Sequence, residues 1–185
     1  GERTIVTAAS CVYNREIDGG FYESLTFLPG MNGEDYAPFG AFDWEHVYVL
    51  DGFVTEYDGT YDSVWKYDLA VVELAEPAGD YTGWLGYRSS ASLGDFEGYL
   101  VGYHDDKELG TQWRSKCDVP KADVYKYEFL HKCNNKGGEA WGAPIYVYNG
   151  QDKPRTIVGL NMGKQGKTNW ALRITPAKLE WLRDL

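Results

Sequence analysis

The chain has 185 residues, a formal net charge of -10 at pH 7 and 43% apolar residues. This length is sufficient for one domain with a substantial core. The acidic balance argues against nucleic acid as a partner, because phosphates would be repelled. The apolar runs are shorter than the roughly 18 residues that a membrane helix requires, so no membrane insertion is expected.

Short strand-like segments with apolar residues at every second position follow one another along the chain. Each is closed by Gly, Pro, Asp or Asn, as in antiparallel strands joined by turns. The C-terminal segment differs, because Thr175 followed by Pro176 predicts the start of a helix over residues 175–185. The pattern predicts an all-β barrel or sandwich with a terminal helix. The predicted strands fall within residues 21–30, 44–52, 68–77, 98–106, 123–131, 143–150, 155–163 and 168–175.

The chain has three cysteines, of which two can pair with each other. Cys117 and Cys133 flank a short tyrosine-rich run, a separation that suits two neighbouring antiparallel strands, and we predict that they form a disulfide. Cys11 is then left over, which in a secreted protein indicates an intermolecular disulfide or a free thiol. The three histidines are scattered, and no Cys/His cluster has zinc spacing. Neither a metal site nor a cofactor is therefore expected.

Three segments resemble those that carry the catalytic residues of chymotrypsin-fold serine proteases. In TIVTAASCVYN, residues 4–14, Ser10 stands where the family has its histidine base. In KYDLAVVEL, residues 66–74, the orienting aspartate is present as Asp68. In GGEAWGAPIYVY, residues 137–148, Trp141 stands where the family has its nucleophilic serine. The resemblance narrows to the V8-like glutamyl endopeptidases because residues 25–33, 81–88, 98–117 and 169–175 also agree, in the same order.

This resemblance implies two antiparallel β-barrels in a single domain over residues 1–185. The first barrel would occupy about residues 1–80, the second about residues 81–174, and the helix residues 175–185. It also places residue 1 just before the third strand of the first barrel, so that the first two strands would be absent from this chain. We expect a second chain to supply them, held through Cys11. The alternative is a trimmed or divergent N-terminus with Cys11 buried and reduced.

The oxyanion loop and the specificity pocket of the family are also altered in this sequence. In the loop, Glu139 occupies the place of a glycine, and its carboxylate would repel a developing oxyanion. On the strand VGLNMG, the histidine that receives the substrate carboxylate in glutamate-specific relatives is absent. The loop positions are Gly138, Glu139 and Gly142, and the pocket positions are Asn161, Met162 and Gly163.

These replacements predict a loss of catalysis. The hydroxyl of Ser10 is no base at neutral pH, and the indole of Trp141 has no nucleophilic atom. His131 lies near the nucleophile loop in sequence, but as a replacement base it would still lack a nucleophile. Asp68 is interpreted as structural, with its carboxylate accepting backbone N–H bonds around Ala9 and Ser10.

We therefore predict a secreted, non-catalytic protease homologue that acts by binding a protein or peptide. One alternative is a carbohydrate-binding or toxin subunit on the same fold, which the 16% content of aromatic residues favours. Another is an active hydrolase with a displaced site, with Ser10 as its nucleophile. Trp141 either fills the cleft as a core residue or is an exposed anchor of the kind enriched at interfaces.

Overall fold

The computed structural model describes residues 1–89, 94–133, 140–148, 150, 154–165 and 168–185. These residues form mainly β-strands, arranged as two curled half-barrel sheets, and the chain ends in a short helix. The strands are β1 (Thr4–Thr7), β2 (Thr26–Phe27), β3 (Phe42–Val49), β4 (Ala70–Leu74), β5 (Gly86–Tyr87), β6 (Phe96–Tyr103), β7 (Gln112–Val119), β8 (Glu128–His131), β9 (Pro144–Tyr148), β10 (Arg155–Gln165) and β11 (Thr168–Arg173), and the α-helices are α1 (Asp51–Thr55), α2 (Gly79–Thr82) and α3 (Pro176–Asp184).

The first compact unit, Gly1–Trp84, contains a four-stranded antiparallel sheet in the order β1-β4-β3-β2. Strand β4 is central, and four of its five residues are buried. Residues on both of its faces are buried, which explains its apolar sequence AVVEL. Strands β1 and β2 are the two edges of this sheet.

The second compact unit, Leu85–Leu185, contains a seven-stranded sheet in the order β7-β6-β9-β10-β11-β8, with β5 added in parallel to β10. Its core consists of apolar side chains from the inner face of these strands. Fully buried members include Leu100, Phe129, Ile145, Val158 and Leu172.

Helix α3 begins where the sequence predicts it. The hydroxyl oxygen of Thr175 accepts a hydrogen bond from the backbone N–H of Lys178 at 3.3 Å, and Pro176 occupies the first turn. This is the expected chemistry of an N-cap followed by proline. The helix lies on its own unit, because the Tyr87 hydroxyl donates to the carbonyl of Leu182 at 3.0 Å.

The predicted architecture of β-strands followed by a helix is confirmed. The predicted strand within residues 21–30 is much shorter than expected, because only Thr26 and Phe27 pair with β3. Among the described residues, no helix has both the length and the apolar character needed to cross a membrane.

Candidate functional site

Ser10 and Asp68 are neighbours because of strand register in the first unit. Strands β1 and β4 are antiparallel, with Thr7 opposite Ala70. The residues that follow Thr7 therefore lie beside those that precede Ala70. A short 3-10 turn at Ala9–Cys11 follows β1 and presents Ser10 to the aspartate.

The Asp68 carboxylate is completely buried and accepts several hydrogen bonds. The backbone N–H of Ser10 donates to Oδ1 at 2.7 Å, and the Ser10 hydroxyl donates to Oδ2 at 2.9 Å. The Tyr61 hydroxyl donates to the same Oδ2 at 2.6 Å. The interpretation of Asp68 as an acceptor for the turn around Ser10 is confirmed by these contacts.

Burial and hydrogen bonding act in opposite directions on this carboxyl group. Burial raises the pKa of Asp68, and the hydrogen bonds from Tyr61, Ser10 and Ala9 lower it, with burial the larger effect. The pKa of Tyr61 is also raised, first by its own burial and then by the neighbouring Asp68 charge. Asp68, Ser10 and Tyr61 therefore form a polar cluster in which the serine hydroxyl is a hydrogen-bond donor.

In the second unit, Trp141 lies in the turn that leads into β9. Gly142 follows with a φ of 74°, a conformation that glycine adopts without strain. The turn is held by Asn161 of β10. The Asn161 side-chain amide donates to the carbonyl of Ala140 at 2.9 Å. The backbone carbonyl of Asn161 accepts from the Gly142 N–H at 2.8 Å, and its backbone N–H donates to the Ala143 carbonyl at 2.8 Å.

Trp141 is 38% exposed, so its ring is neither buried in a core nor fully in solvent. One side meets the edge of Trp170 from β11, with ring centroids 6.4 Å apart and an interplanar angle of 87°. Such edge-to-face pairs are a preferred aromatic geometry. Within its own unit, therefore, Trp141 is supported by a second tryptophan and presents part of its indole to solvent.

The other predicted site positions have different outcomes. Met162 is fully buried, and Gly163, at φ 94°, follows it in an irregular part of the β10–β11 pairing. Gly138 and Glu139 lie outside the described residues, so the predicted disruption of the oxyanion loop stays a prediction. Asn161 is 3% exposed, and its polar groups hold the Trp141 turn.

The predicted disulfide joins Cys117 of β7 to Cys133, just beyond β8. His131 lies beside it, and the candidate ligand atoms of these three residues are all within 4.8 Å of one another. Burial lowers the pKa of His131 to about 4, an effect partly offset by the Trp170 backbone and the Asn161 side chain. Neither the Trp170 backbone nor the Asn161 side chain reaches a ring nitrogen of His131 with full hydrogen-bond geometry. Both ring nitrogens are therefore without a hydrogen-bond partner among the described residues.

Cys11 has no disulfide partner in the described part of the chain, and the residue is exposed. Burial nevertheless raises the pKa of the Cys11 thiol, so the alternative of a buried, reduced cysteine stays a prediction. The use of Cys11 in an interchain disulfide stays a prediction.

No protein-family profile matches the chain. An extracellular metalloprotease of Bacillus subtilis (strain 168) is 29% identical over 174 residues, which are 93% of this chain and 51% of the relative. A glutamyl endopeptidase of Bacillus licheniformis is 29% identical over 147 residues, which are 79% of this chain and 43% of the relative. The chain thus spans about half the length of the curated relatives it matches.

Solved structures agree over almost the whole chain. A Glu endopeptidase superposes with a TM-score of 0.80 at 22% identity, over 99% of this chain and 80% of that chain. The chain has the fold of the chymotrypsin-like serine proteases. A thermostable serine protease from an extremophilic microorganism has a TM-score of 0.68 at 14% identity, over 97% of this chain and 82% of that chain. Protease Anisep from Arthrobacter nicotinovorans has a TM-score of 0.67 at 16% identity, over 97% of this chain and 81% of that chain.

The chymotrypsin-like fold confirms the architecture that the sequence resemblance implied. At these identities the structural likeness concerns the fold, and the activities in the relatives' names are those of the relatives.

Sequence reasoning missed two residues of this site. Tyr61 gave no signal, because a tyrosine seven positions before an aspartate is unremarkable in a chain with 15 tyrosines. Trp170 lies in a predicted strand, and its pairing with Trp141 depends on how β11 is placed in the sheet.

Proposed function

We propose that this chain is a secreted, non-catalytic homologue of the chymotrypsin-like serine proteases that acts by binding a protein or peptide through the surface around Trp141. The observation that carries the proposal is the aromatic side chain at the position of the nucleophilic serine. Trp141 is 38% exposed and is supported by Trp170. Partly exposed tryptophans on a rigid support are typical anchors of binding interfaces.

The contacts of Ser10 support the loss of catalysis. General-base catalysis requires a group that can take a proton near neutral pH. The Ser10 hydroxyl instead donates to Asp68 at 2.9 Å, and its backbone N–H donates to the same carboxylate. Secretion is supported by one curated relative, which is named as extracellular.

Fluorophosphonate labelling tests the loss of catalysis. The purified protein is treated with the probe beside an active glutamyl endopeptidase, and labelling is read from intact mass. We expect no label on this chain because no activated serine is available. A label that maps to Ser10 and disappears in Ser10→Ala would establish a displaced active site and contradict the proposal.

Peptide and glycan arrays test the binding function, with Trp141→Ala as the matched variant. We expect peptide signals that weaken at least about tenfold in the variant, as for an interface anchor. Glycan signals without peptide signals would favour the carbohydrate-binding alternative. Signals that are equal in both proteins would show that Trp141 is not the anchor.

We also propose that a second chain adds strands to the first sheet. Among the described residues β1 is an edge of this sheet, and the backbone of an edge strand is a template for another strand. The partner is an extended segment with alternating apolar residues, because an apolar groove lies on this sheet. The groove is lined by Ile5, Val12, Leu25, Phe27, Trp44 and Leu74, among others.

Intact mass with and without reductant tests this partner in protein purified from its native source. We expect a covalent species heavier than 20.9 kDa that returns to this value on reduction, since Cys11 is exposed and without a disulfide partner in the described part of the chain. A mass of 20.9 kDa under both conditions would contradict a disulfide through Cys11.

A further inference from the structure

Three tyrosines form an aromatic surface on the outer side of the sheet in the second unit, which we call the tyrosine face. They are Tyr99 of β6 and Tyr146 and Tyr148 of β9. Successive residues of a strand point to opposite sides of a sheet, and the adjacent residues Leu100 and Ile145 belong to the buried core. The three tyrosines therefore point away from the core.

The rings of the tyrosine face pack closely on one another. Strands β6 and β9 are antiparallel with Tyr99 opposite Tyr146, and these two rings stack with centroids 5.5 Å apart. The Tyr148 ring meets Tyr99 edge-on at 4.9 Å and Tyr146 at 5.8 Å. Tyr146 is 3% exposed, whereas Tyr148 is 40% exposed. The surface is therefore made of side chains that are already ordered, so that a ligand bound there costs little side-chain entropy.

Two arginines flank the tyrosine face. The guanidinium carbon of Arg114, in β7, lies over the Tyr99 ring at 5.3 Å from its centroid. The guanidinium carbon of Arg155, in β10, lies over the Tyr148 ring at 5.2 Å from its centroid. Both arginines are exposed. A guanidinium stacked on an aromatic ring keeps the N–H donors on its edge, which can bind a carboxylate.

The charges of these two arginines are not neutralised in the part of the chain that the structure describes. No carboxylate there lies within 4.0 Å of the nitrogen atoms of Arg114 or Arg155. Lys116 of the same face differs, because its amine pairs with Glu97 at 2.5 Å and also lies in the field of Asp118. The two guanidiniums therefore carry positive charge for which an acidic ligand is the complement.

We propose that the tyrosine face and its two flanking arginines bind an extended acidic peptide segment. One carboxylate would lie on each guanidinium, in the two-pronged geometry that arginine and carboxylate favour. An apolar or aromatic side chain between the two acidic residues would pack on the tyrosines.

The spacing of the two arginines fits such a segment. Their guanidiniums are linked through two rings, with 5.3 Å from Arg114 to Tyr99, 4.9 Å from Tyr99 to Tyr148 and 5.2 Å from Tyr148 to Arg155. The separation of at most about 15 Å can be spanned by residues i and i+4 of an extended segment, which point to the same side and lie about 13 Å apart. Residue i+2 points to that side as well, towards the tyrosines.

The charge of the whole chain favours a short acidic segment over a long polyanion. Nucleic acid, an anionic polysaccharide or an anionic membrane would bring many further negative charges to a chain whose net charge is -10, and these would be repelled. A peptide can place two carboxylates on two guanidiniums without the others. The tyrosine face uses residues other than the Trp141–Trp170 pair, so it is a second binding surface.

A peptide array probed with the full chain tests the predicted pattern. Each array peptide carries glutamate at positions i and i+4 around a central tyrosine, phenylalanine or leucine, and its matched partner carries glutamine at both positions. We expect the protein to bind the glutamate peptides and the binding to weaken as the NaCl concentration rises. No binding, or equal signals for the glutamate and glutamine peptides, would overturn the proposal.

Titration of the best-bound peptide by fluorescence anisotropy then locates the site. Arg114→Gln and Arg155→Gln should each weaken binding at least about fivefold, because each removes one charge-assisted pair. The matched control is Lys126→Gln, which removes another exposed cation of the same unit that also lies over a tyrosine ring, at 4.8 Å from the centroid. We expect that variant to change the affinity by less than about twofold. Unchanged affinity in both arginine variants, or equal losses in all three variants, would refute the site.

Discussion

In the first unit the buried carboxylate of Asp68 accepts hydrogen bonds from Ser10 and Tyr61, whereas in the second unit the buried ring of His131 has no hydrogen-bond partner among the described residues. Both polar side chains are buried, but only Asp68 has hydrogen-bond partners among the described residues. Burial disfavours the charged form in both cases, raising the pKa of the acid and lowering that of the base.

This difference bears on where the molecule interacts with other molecules. In the cluster around Asp68, the carboxylate accepts hydrogen bonds from Ser10 and Tyr61. The second unit combines the unpartnered His131 with the half-exposed Trp141. We therefore place the proposed binding surface in the second unit, and we assign a structural role to Asp68.

The largest effect is expected from Asp68→Ala. Removal of the carboxylate leaves the Ser10 N–H, the Ser10 hydroxyl and the Tyr61 hydroxyl without their acceptor. We expect the free energy of unfolding, measured with urea, to fall by about 4 kcal/mol, because unsatisfied buried donors are costly.

Asp62→Ala is the control for this change, because Asp62 is an exposed aspartate of the same segment. It should change the free energy of unfolding by less than about 0.5 kcal/mol. A similarly small effect at Asp68 would contradict the structural role assigned to its carboxylate.

The next effect is a pH dependence of stability that arises from His131. Its pKa in the folded state is lowered to about 4, against 6.5 for the ordinary side chain. Between these values the unfolded chain binds more protons than the folded chain. The contribution of His131 to the free energy of unfolding is therefore fully present above pH 6.5. It is lost as the pH falls towards 4, by about 3 kcal/mol in total.

Urea unfolding of the oxidised protein between pH 7 and pH 4 measures this contribution. The difference between wild type and His131→Gln should narrow as the pH falls. A constant difference between wild type and His131→Gln would show that His131 titrates normally in the folded state.

The smallest expected effect is the loss of unfolding free energy when a tyrosine hydroxyl is removed, which should be larger for a buried than for a surface hydroxyl. Tyr61→Phe removes one donor to the buried Asp68 carboxylate and should lower the free energy of unfolding by about 1.5 kcal/mol. Tyr67→Phe removes a donor of similar length, 2.7 Å, to the carboxylate of Glu56 at the surface. We expect that variant to lose less than about 0.5 kcal/mol, because solvent replaces an exposed hydrogen bond. Equal losses would mean that the Asp68 cluster has no special stability.

Much of the local structure follows from the sequence. Thr175 and Pro176 specify the start of α3 by their own chemistry, and the side-chain contact to Lys178 appears as the N-cap pattern requires. The alternation of apolar residues identifies most strands, since one face of each must be buried. The collinear motifs predicted the chymotrypsin-like fold and the contact of Asp68 with the Ser10 turn.

Other features depend on contacts between residues far apart in the chain, which no local pattern records. Leu185 appears on the apolar stripe of the helix sequence but is 54% exposed, whereas Lys178 is 5% exposed. The Trp141–Trp170 pair and the hydrogen bonds from Asn161 to the Trp141 turn arise where β9, β10 and β11 meet in one sheet. The position of His131 beside the disulfide arises because β7 and β8 of this sheet approach each other. The sequence by itself determined most of the strands, the helix start and the residues at the predicted triad positions. Only the tertiary structure decided which side chains meet, because strand register and sheet order are set by the packing of the whole unit.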